Sequence, residues 1–105
     1  MEVLYADGSR SEFTEGGGSF HEGDLAILRI QLLTAKSALS IYIRTEGAMQ
    51  LTRNGAQMAI VNVIEPLTGK VYKRSMNGKR EALADCEALL AEIEGTAVVL
   101  EANDE

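Results

Sequence analysis

The segment from about residue 20 to about residue 45 constrains this chain most. Leu25, Leu28, Leu32, Ala35, Leu39 and Tyr42 recur at spacings of three and four, which places them on one face of a helix. Ile27, Ile30, Ala38 and Ile41 form a second apolar flank, and only a narrow strip around Arg29, Lys36 and Ser40 stays polar. A helix apolar over most of its circumference needs cover on two sides. The spacing therefore predicts the central helix of a bundle, or a helix shared with a second chain. Ser19 with Glu22 three residues on fits a capping box, Asp24 offers a second N-cap, and Gly47 supplies the stop.

Two further helices follow. In residues 48–75, Asn54-Gly55 invites a hairpin between MQLTR and AQMAIVNVI, but strict alternation fails at positions 57 to 65. Ala56, Ala59, Ile60, Val63 and Ile64 instead gather on one helical arc, with Asn54 and Gln57 as a capping box. Pro66 disfavours helical geometry at Glu65, so a helix over 55–65 is expected to stop there. The β-branched residues Ile60, Val61, Val63 and Ile64 argue the other way and keep the hairpin open as an alternative. The last helix, over 78–94, has Asn77 as its cap and Gly95 past its end. Its apolar stripe is Ala82, Leu83, Cys86, Leu89, Leu90 and Ile93.

Before the first helix, Asp7-Gly8 marks a turn between two short arms, and Glu15-Gly16-Gly17-Gly18-Ser19 reads as a linker, native or engineered. TAVVLEA, from Thr96, adds a short strand or docks extended, and the last three residues fray. The expected fold is mainly α: a small three-helix bundle with a minor β hairpin or arm at the N-terminus. Residues 1–18 would be arm and linker, and 19–105 a single helical domain with a frayed acidic end. That suits 105 residues of which 46% are hydrophobic.

Chemistry is sparse. One cysteine excludes a disulfide framework and a multi-cysteine metal site, and one histidine excludes a His-rich one. Cys86 lies on an apolar stripe, where a thiol acts as a small hydrophobe, and His21 sits beside the glycine run at an expected helix start. Asp85 and Glu92 flank one side of the last helix's stripe, Glu87 and Glu94 the other, as on a solvated amphipathic helix. The glycine run matches no phosphate-loop pattern. The expectation is a non-enzyme without cofactor or metal. No basic n-region precedes an apolar stretch at the start, and no apolar run reaches membrane-span length, so a cytoplasmic protein is the default.

The net charge of −6 hides an asymmetry: −3 over residues 1–43, +5 over 44–80 and −8 over 81–105. Lys70, Lys73, Arg74, Lys79 and Arg80, with Tyr72 among them, could hold a phosphate backbone and stack on a base. The alternative use of the same charges is to neutralise the protein's own acids downstream.

The run LLTAKSAL from Leu32 to Leu39, followed by AMQLTRNGA from Ala48 to Ala56, resembles short uncharacterised phage and bacterial proteins. In those, an AKSAL-like helix precedes a Gly-Met turn and a second helix; here Glu46, Gly47 and Ala48 interrupt the Gly-Met pair. The resemblance implies a second helix over 55–65 and a mobile-element origin, and brings no activity.

These readings converge on a protein-interaction module that self-associates as a homodimer. Its expected interface is Leu25, Ile27, Leu28, Ile30, Leu32, Leu39, Ile41 and Tyr42. Nucleic-acid binding through 70–80 is the runner-up, and a small acidic inhibitor of phage or mobile-element origin acting through its 81–105 face is a third reading.

Overall fold

The computed structural model describes residues 1–49 and 54–100. The elements are β1 (Glu2–Leu4), β2 (Arg10–Phe13), β3 (Ser19–Glu22), α1 (Asp24–Arg44), α2 (Gly55–Ala59), a π-helical turn (Ile60–Ile64), α3 (Glu65–Thr68), α4 (Met76–Gly95) and β4 (Val98–Leu100). The strands form one antiparallel sheet in the order β3-β2-β1-β4. The mainly α three-helix bundle expected from sequence is thus replaced by helices accompanied by a four-stranded sheet. Residues 50–53 of the MQLTR arm of the alternative hairpin, and the fraying of the last residues, lie outside the described residues. Two compact units divide the chain: Met1–Ile30 with the segment from Ala91 onward, and Gln31–Leu90.

In the first unit, two hairpins use the same loop. Tyr5 N–H donates to Ser9 O at 2.8 Å and Gly8 N–H to Tyr5 O at 3.0 Å, with Gly8 at φ 90°. Nine residues on, Thr14 N–H donates to Gly18 O at 2.9 Å and Gly17 N–H to Thr14 O at 3.1 Å, with Gly17 at φ 88°. Each loop needs one left-handed residue, which glycine supplies without steric cost. The glycine run is therefore a hairpin loop in this structure.

The register aligns Val3, Ser11, His21 and Val99 on one face of the sheet. On the other face Arg10 pairs with Glu22 at 3.1 Å, Glu2 at 3.5 Å and Glu12 at 3.7 Å. Both edge strands, β3 and β4, carry exposed apolar residues: Phe20 on one, and Val98, Val99 and Leu100 on the other.

Ser19 and Glu22 pair within β3 and do not cap a helix. Helix α1 begins at Asp24, four residues later than expected. Its first orphan donor, Leu25 N–H, reaches Ser9 Oγ at 3.1 Å and Asp7 Oδ2 at 3.2 Å. The β1–β2 loop thereby caps a helix well downstream. Hydrogen bonds from Ser9 hold the Asp7 carboxyl below its ordinary value. Gly23 precedes the helix at φ 101°, and a Cβ there would lie 2.8 Å from Ser9 Cβ, so only glycine fits.

In the second unit, Leu32, Ala35, Ala38 and Leu39 of α1 are buried, as are Ala56, Ile60, Ile64 and Tyr72. Ala82, Cys86 and Leu90 of α4 complete the core. The Cys86 thiol donates to Leu32 O at 3.3 Å. Helix α1 closes with Gly47 N–H on Tyr42 O at 2.8 Å and Glu46 N–H on Ile43 O at 3.1 Å, a Schellman pattern with Glu46 in the left-handed position.

The 55–65 segment is helical, as preferred over the hairpin, but it does not stop at Glu65. Helical structure continues through Pro66 to Thr68 and ends at Gly69, φ 73°. The π turn lies directly upstream, with Glu65 N–H on Ile60 O. Widening the helix there loosens the contact of the proline ring with the preceding turn, a clash that otherwise breaks a helix. Asn54 adopts left-handed geometry (φ 56°) and makes no side-chain cap, so the Asn54–Gln57 capping box is absent. Helix α4 starts at Met76, two residues early: Ser75, not Asn77, is its cap, accepting Gly78 N–H at 3.1 Å through Oγ and Lys79 N–H at 3.0 Å through its carbonyl.

Candidate functional site

The basic stretch 70–80 divides in two. Lys70 Nζ lies 3.0 Å from Asp85 Oδ2 and 3.9 Å from Glu81. Tyr72 is buried; its hydroxyl donates to Asp85 Oδ2 at 2.6 Å and lies 3.1 Å from Thr68 Oγ1, and its N–H donates to Glu65 Oε2 at 3.1 Å. The Tyr72 hydrogen bond, then Lys70, holds the Asp85 carboxyl below its ordinary range, while burial pushes the Tyr72 phenol up. A ring so placed has no open face for a base, and Lys70 is neutralised within the protein.

Lys73, Arg74 and Arg80 are exposed, and Arg80 Nη1 lies 3.5 Å from Asn77 Oδ1. Lys79 is the exception among these cations: only 7% of it is exposed. Its Nζ lies 4.9 Å from the centre of the Tyr42 ring, and no carboxylate among the described residues pairs with it. A cleft of about 310 Å³ collects Lys79 and Arg74 with Tyr42, Asn54, Gln57 and Met58. Gln57 belongs to that lining, but its Oε1 is closed off from solvent and accepts no hydrogen bond among the described residues.

Sequence reasoning placed Lys79 in the basic stretch and Tyr42 in the expected interface, and left Gln57 outside any site. A signal for Lys79 was present: it lies three residues before Ala82 and seven before Cys86, so it continues the apolar stripe of α4. Of the expected interface residues, Leu32 and Leu39 are fully buried in the protein's own core. Leu25, Leu28, Ile30, Ile41 and Tyr42 are half-buried, and Ile27 is 47% exposed. Ile27, Ser37 and Ile41 point to the side of α1 away from Leu32 and Leu39, and a shallow groove beside them is lined by Leu33, Lys36, Ser40 and Arg44.

His21 is not at a helix start. It lies in β3, where Nδ1 is 2.6 Å from Ser11 Oγ, which is 3.1 Å from the Tyr5 hydroxyl. Ser11 is fully buried, so this chain of polar groups ties β1, β2 and β3 together without offering a nucleophile to a substrate. The Cys86 thiol is buried, and burial raises its pKa to about 11, which keeps it protonated near neutrality. Among the described residues, no three His, Cys, Asp or Glu side chains converge to hold a metal ion.

Comparison with protein-family models, curated proteins and solved structures gives no match.

Proposed function

We propose that the protein is a non-catalytic interaction module that pairs with a second copy of itself through the outward face of α1. The observation that carries this reading is the mismatch between composition and burial. Helix α1 is long and apolar enough to cross a membrane, yet only 28% of its most apolar stretch is buried within the protein. Ile27 and Ile41 stand two heptads apart on the uncovered side, with the small Ser37 between them, so a second helix can approach closely.

Antiparallel pairing suits the helix ends. Asp24 lies in the first turn and Arg44 in the last, so a two-fold antiparallel arrangement sets each Asp24 near the last turn of the second copy, where its arginine lies. A protein neighbour suits the face better than lipid. Arg29 pairs with Glu94 at 2.8 Å and Lys36 with Glu87 at 3.8 Å, and a bilayer would have to accept these charges.

The other two readings draw less support. Nucleic-acid binding through 70–80 loses Lys70 and Tyr72 to internal partners. An acidic inhibitor face over 81–105 has Glu81, Asp85, Glu87 and Glu94 already engaged with the protein's own bases.

Sedimentation of the full chain at tens of micromolar tests the proposal. A dimer is expected, and a double Ile27→Glu, Ile41→Glu variant is expected to sediment as a folded monomer by circular dichroism. A wild-type monomer, or flotation of the wild type with neutral lipid vesicles in place of dimerisation, would overturn it.

A further inference from the structure

Strand β4 lies at an open edge of the sheet, and all three of its residues, Val98, Val99 and Leu100, are apolar and exposed. A sheet edge is normally blunted by lysine, proline or an inward charge, and β4 holds none of these. The hydrogen bonds of the first hairpin determine which backbone groups this edge offers. Phe13 N–H donates to Met1 O at 2.8 Å and Met1 N donates to Phe13 O at 3.0 Å, so these two residues exchange both bonds. Tyr5 N–H likewise reaches Ser9 O at 2.8 Å. Antiparallel pairing alternates, so Val3 also turns its N–H and C=O toward β2, and Glu2 and Leu4 turn theirs toward β4. Their partners Leu100 and Val98 point back at β1. Val99, opposite Val3, is left with its N–H and C=O directed out of the sheet.

The second observation lies on the face to which Val99 projects. A cleft of about 450 Å³ is lined there by Val3, Tyr5, Phe13, Ala97 and Val99, alternate positions of one sheet face. The Arg29–Glu94 ion pair, at 2.8 Å, adds a polar wall whose charges offset each other. Residues directly opposite one another in a sheet project to the same face. A strand added beside β4 therefore sets the residue opposite Val99 over this cleft and aligns its N–H and C=O with those of Val99. One position supplies both the backbone pairing and the side-chain pocket, the combination by which sheet edges recognise extended peptides.

Charge selects among occupants. From Glu81 on, the sequence holds eight acids and neither Lys nor Arg; Glu92 precedes β4, and Glu101, Asp104 and Glu105 follow it. A second copy of β4 brings the same acids to the same edge, and flanking like charges keep apolar strands from pairing with themselves. An extended segment with Lys or Arg on both sides of an apolar centre meets the opposite sign.

We propose that β4 is a docking edge for an extended peptide of another protein, apolar at its centre and basic at both ends. The peptide adds a strand to the sheet beside β4. Its central residue exchanges backbone hydrogen bonds with Val99 and places its side chain in the cleft.

The probe is a fluorescein-labelled peptide KKVTVTVKK, titrated with the full chain by anisotropy and followed by amide exchange in the isotope-labelled protein. It is expected to bind saturably and to slow exchange of the Val99 amide at least about tenfold, with the His21 amide on the opposite edge unchanged. Methylating the central valine nitrogen of the peptide leaves the protein untouched and is expected to weaken binding about tenfold or more. The acid-flanked peptide EEVTVTVEE should bind at least about tenfold more weakly than KKVTVTVKK, with the gap narrowing in high salt. Val99→Pro is expected to abolish binding while keeping the fold by circular dichroism, because an edge strand accepts proline where its N–H faces outward. The double Ile27→Glu, Ile41→Glu variant should bind as wild type, which separates this edge from the α1 face. Undiminished binding of the methylated peptide, protection at His21 in place of Val99, or no saturable binding at millimolar peptide would overturn the proposal. Wild-type self-association that Val99→Pro removes, without peptide binding, would give the edge to a second copy and overturn it too.

Discussion

Lys70 and Lys79 belong to one basic run and have opposite circumstances. Lys70 is about half exposed, yet sits 3.0 Å from Asp85 within a network that includes Tyr72, Thr68 and Glu81. Lys79 is almost fully buried, yet among the described residues it faces the Tyr42 ring and pairs with no carboxylate. Water screens the first pair and makes it worth little; the second cation has its stem inside the protein and no carboxylate among the described residues to pair with. Charge density along a sequence thus says little about which cation is available to a ligand. What decides it is whether the next helix turn offers a carboxylate, and α4 presents Glu81 and Asp85 to one end of the run but not to the other.

The strongest way to break this comparison is to detach the 70–75 segment from α4. A Cβ on Gly78 would lie 2.8 Å from the backbone carbon of Lys73 and closer still to its oxygen, so neither side can yield by a rotamer change. Gly78→Ala is expected to cost about 2–3 kcal/mol, despite alanine's better helix propensity. Gly95→Ala, at the other end of the same helix with nothing near its Cβ, should be neutral or stabilise by up to about 1 kcal/mol. Urea titration of both variants checks the pair, and equal midpoints would show that the loop does not pack against α4 as described.

A smaller effect sharpens the Lys70 side. Tyr72→Phe removes the 2.6 Å hydrogen bond to Asp85 and should cost about 1 kcal/mol, with Asp85→Asn similar. The pH dependence has a definite sign. Asp85 has a folded-state pKa below its ordinary value of 3.8, so its stabilisation is complete above that value and is lost as pH falls through the lower, folded one. The stability gap between wild type and Asp85→Asn should be constant from pH 5 to 7 and close only in acid. A gap that closed near neutrality would assign the effect to another group.

The sequence made one side of this comparison easier to see than the other. The stripes of α1 and α4 were legible because burial repeats at three and four residues over five turns. The sheet was not, since its strands are three or four residues long and SRSEF places Arg10 and Glu12 on a solvent face, which mimics a polar tail. Ser19 and Glu22 satisfy a capping-box spacing as well as a strand, and nothing local decides between them. The real cap of α1 comes from Ser9 and Asp7, a contact that exists only once the first hairpin has formed. The same applies to the candidate cleft: Arg74 and Lys79 were in the expected set, but Tyr42, Asn54 and Gln57 come from elements far away in sequence.

Cys86 provides an internal reference on α4, a buried titratable group whose neutral form is the one the protein favours. With its pKa raised from 9.0 to about 11, the unfolded state releases the proton first, and stability should fall modestly as pH rises above 9. Thiol-reactive dye at pH 8 should label the native protein only through opening and the urea-unfolded protein at once. Fast native labelling would contradict the burial of the Leu32–Cys86 contact.

The smallest expected change in stability falls on Lys79 itself. Lys79→Met keeps the methylene stem over Tyr42 and removes a buried charge that lacks a carboxylate, so the melting temperature without added anion should stay within about 2 °C of wild type or rise. Lys70→Met should also lie near wild type, but for another reason: its ion pairs are exposed. Large destabilisation of Lys79→Met would mean that the ammonium already has an anionic partner within the protein, and the buried residue would then match Lys70 in kind.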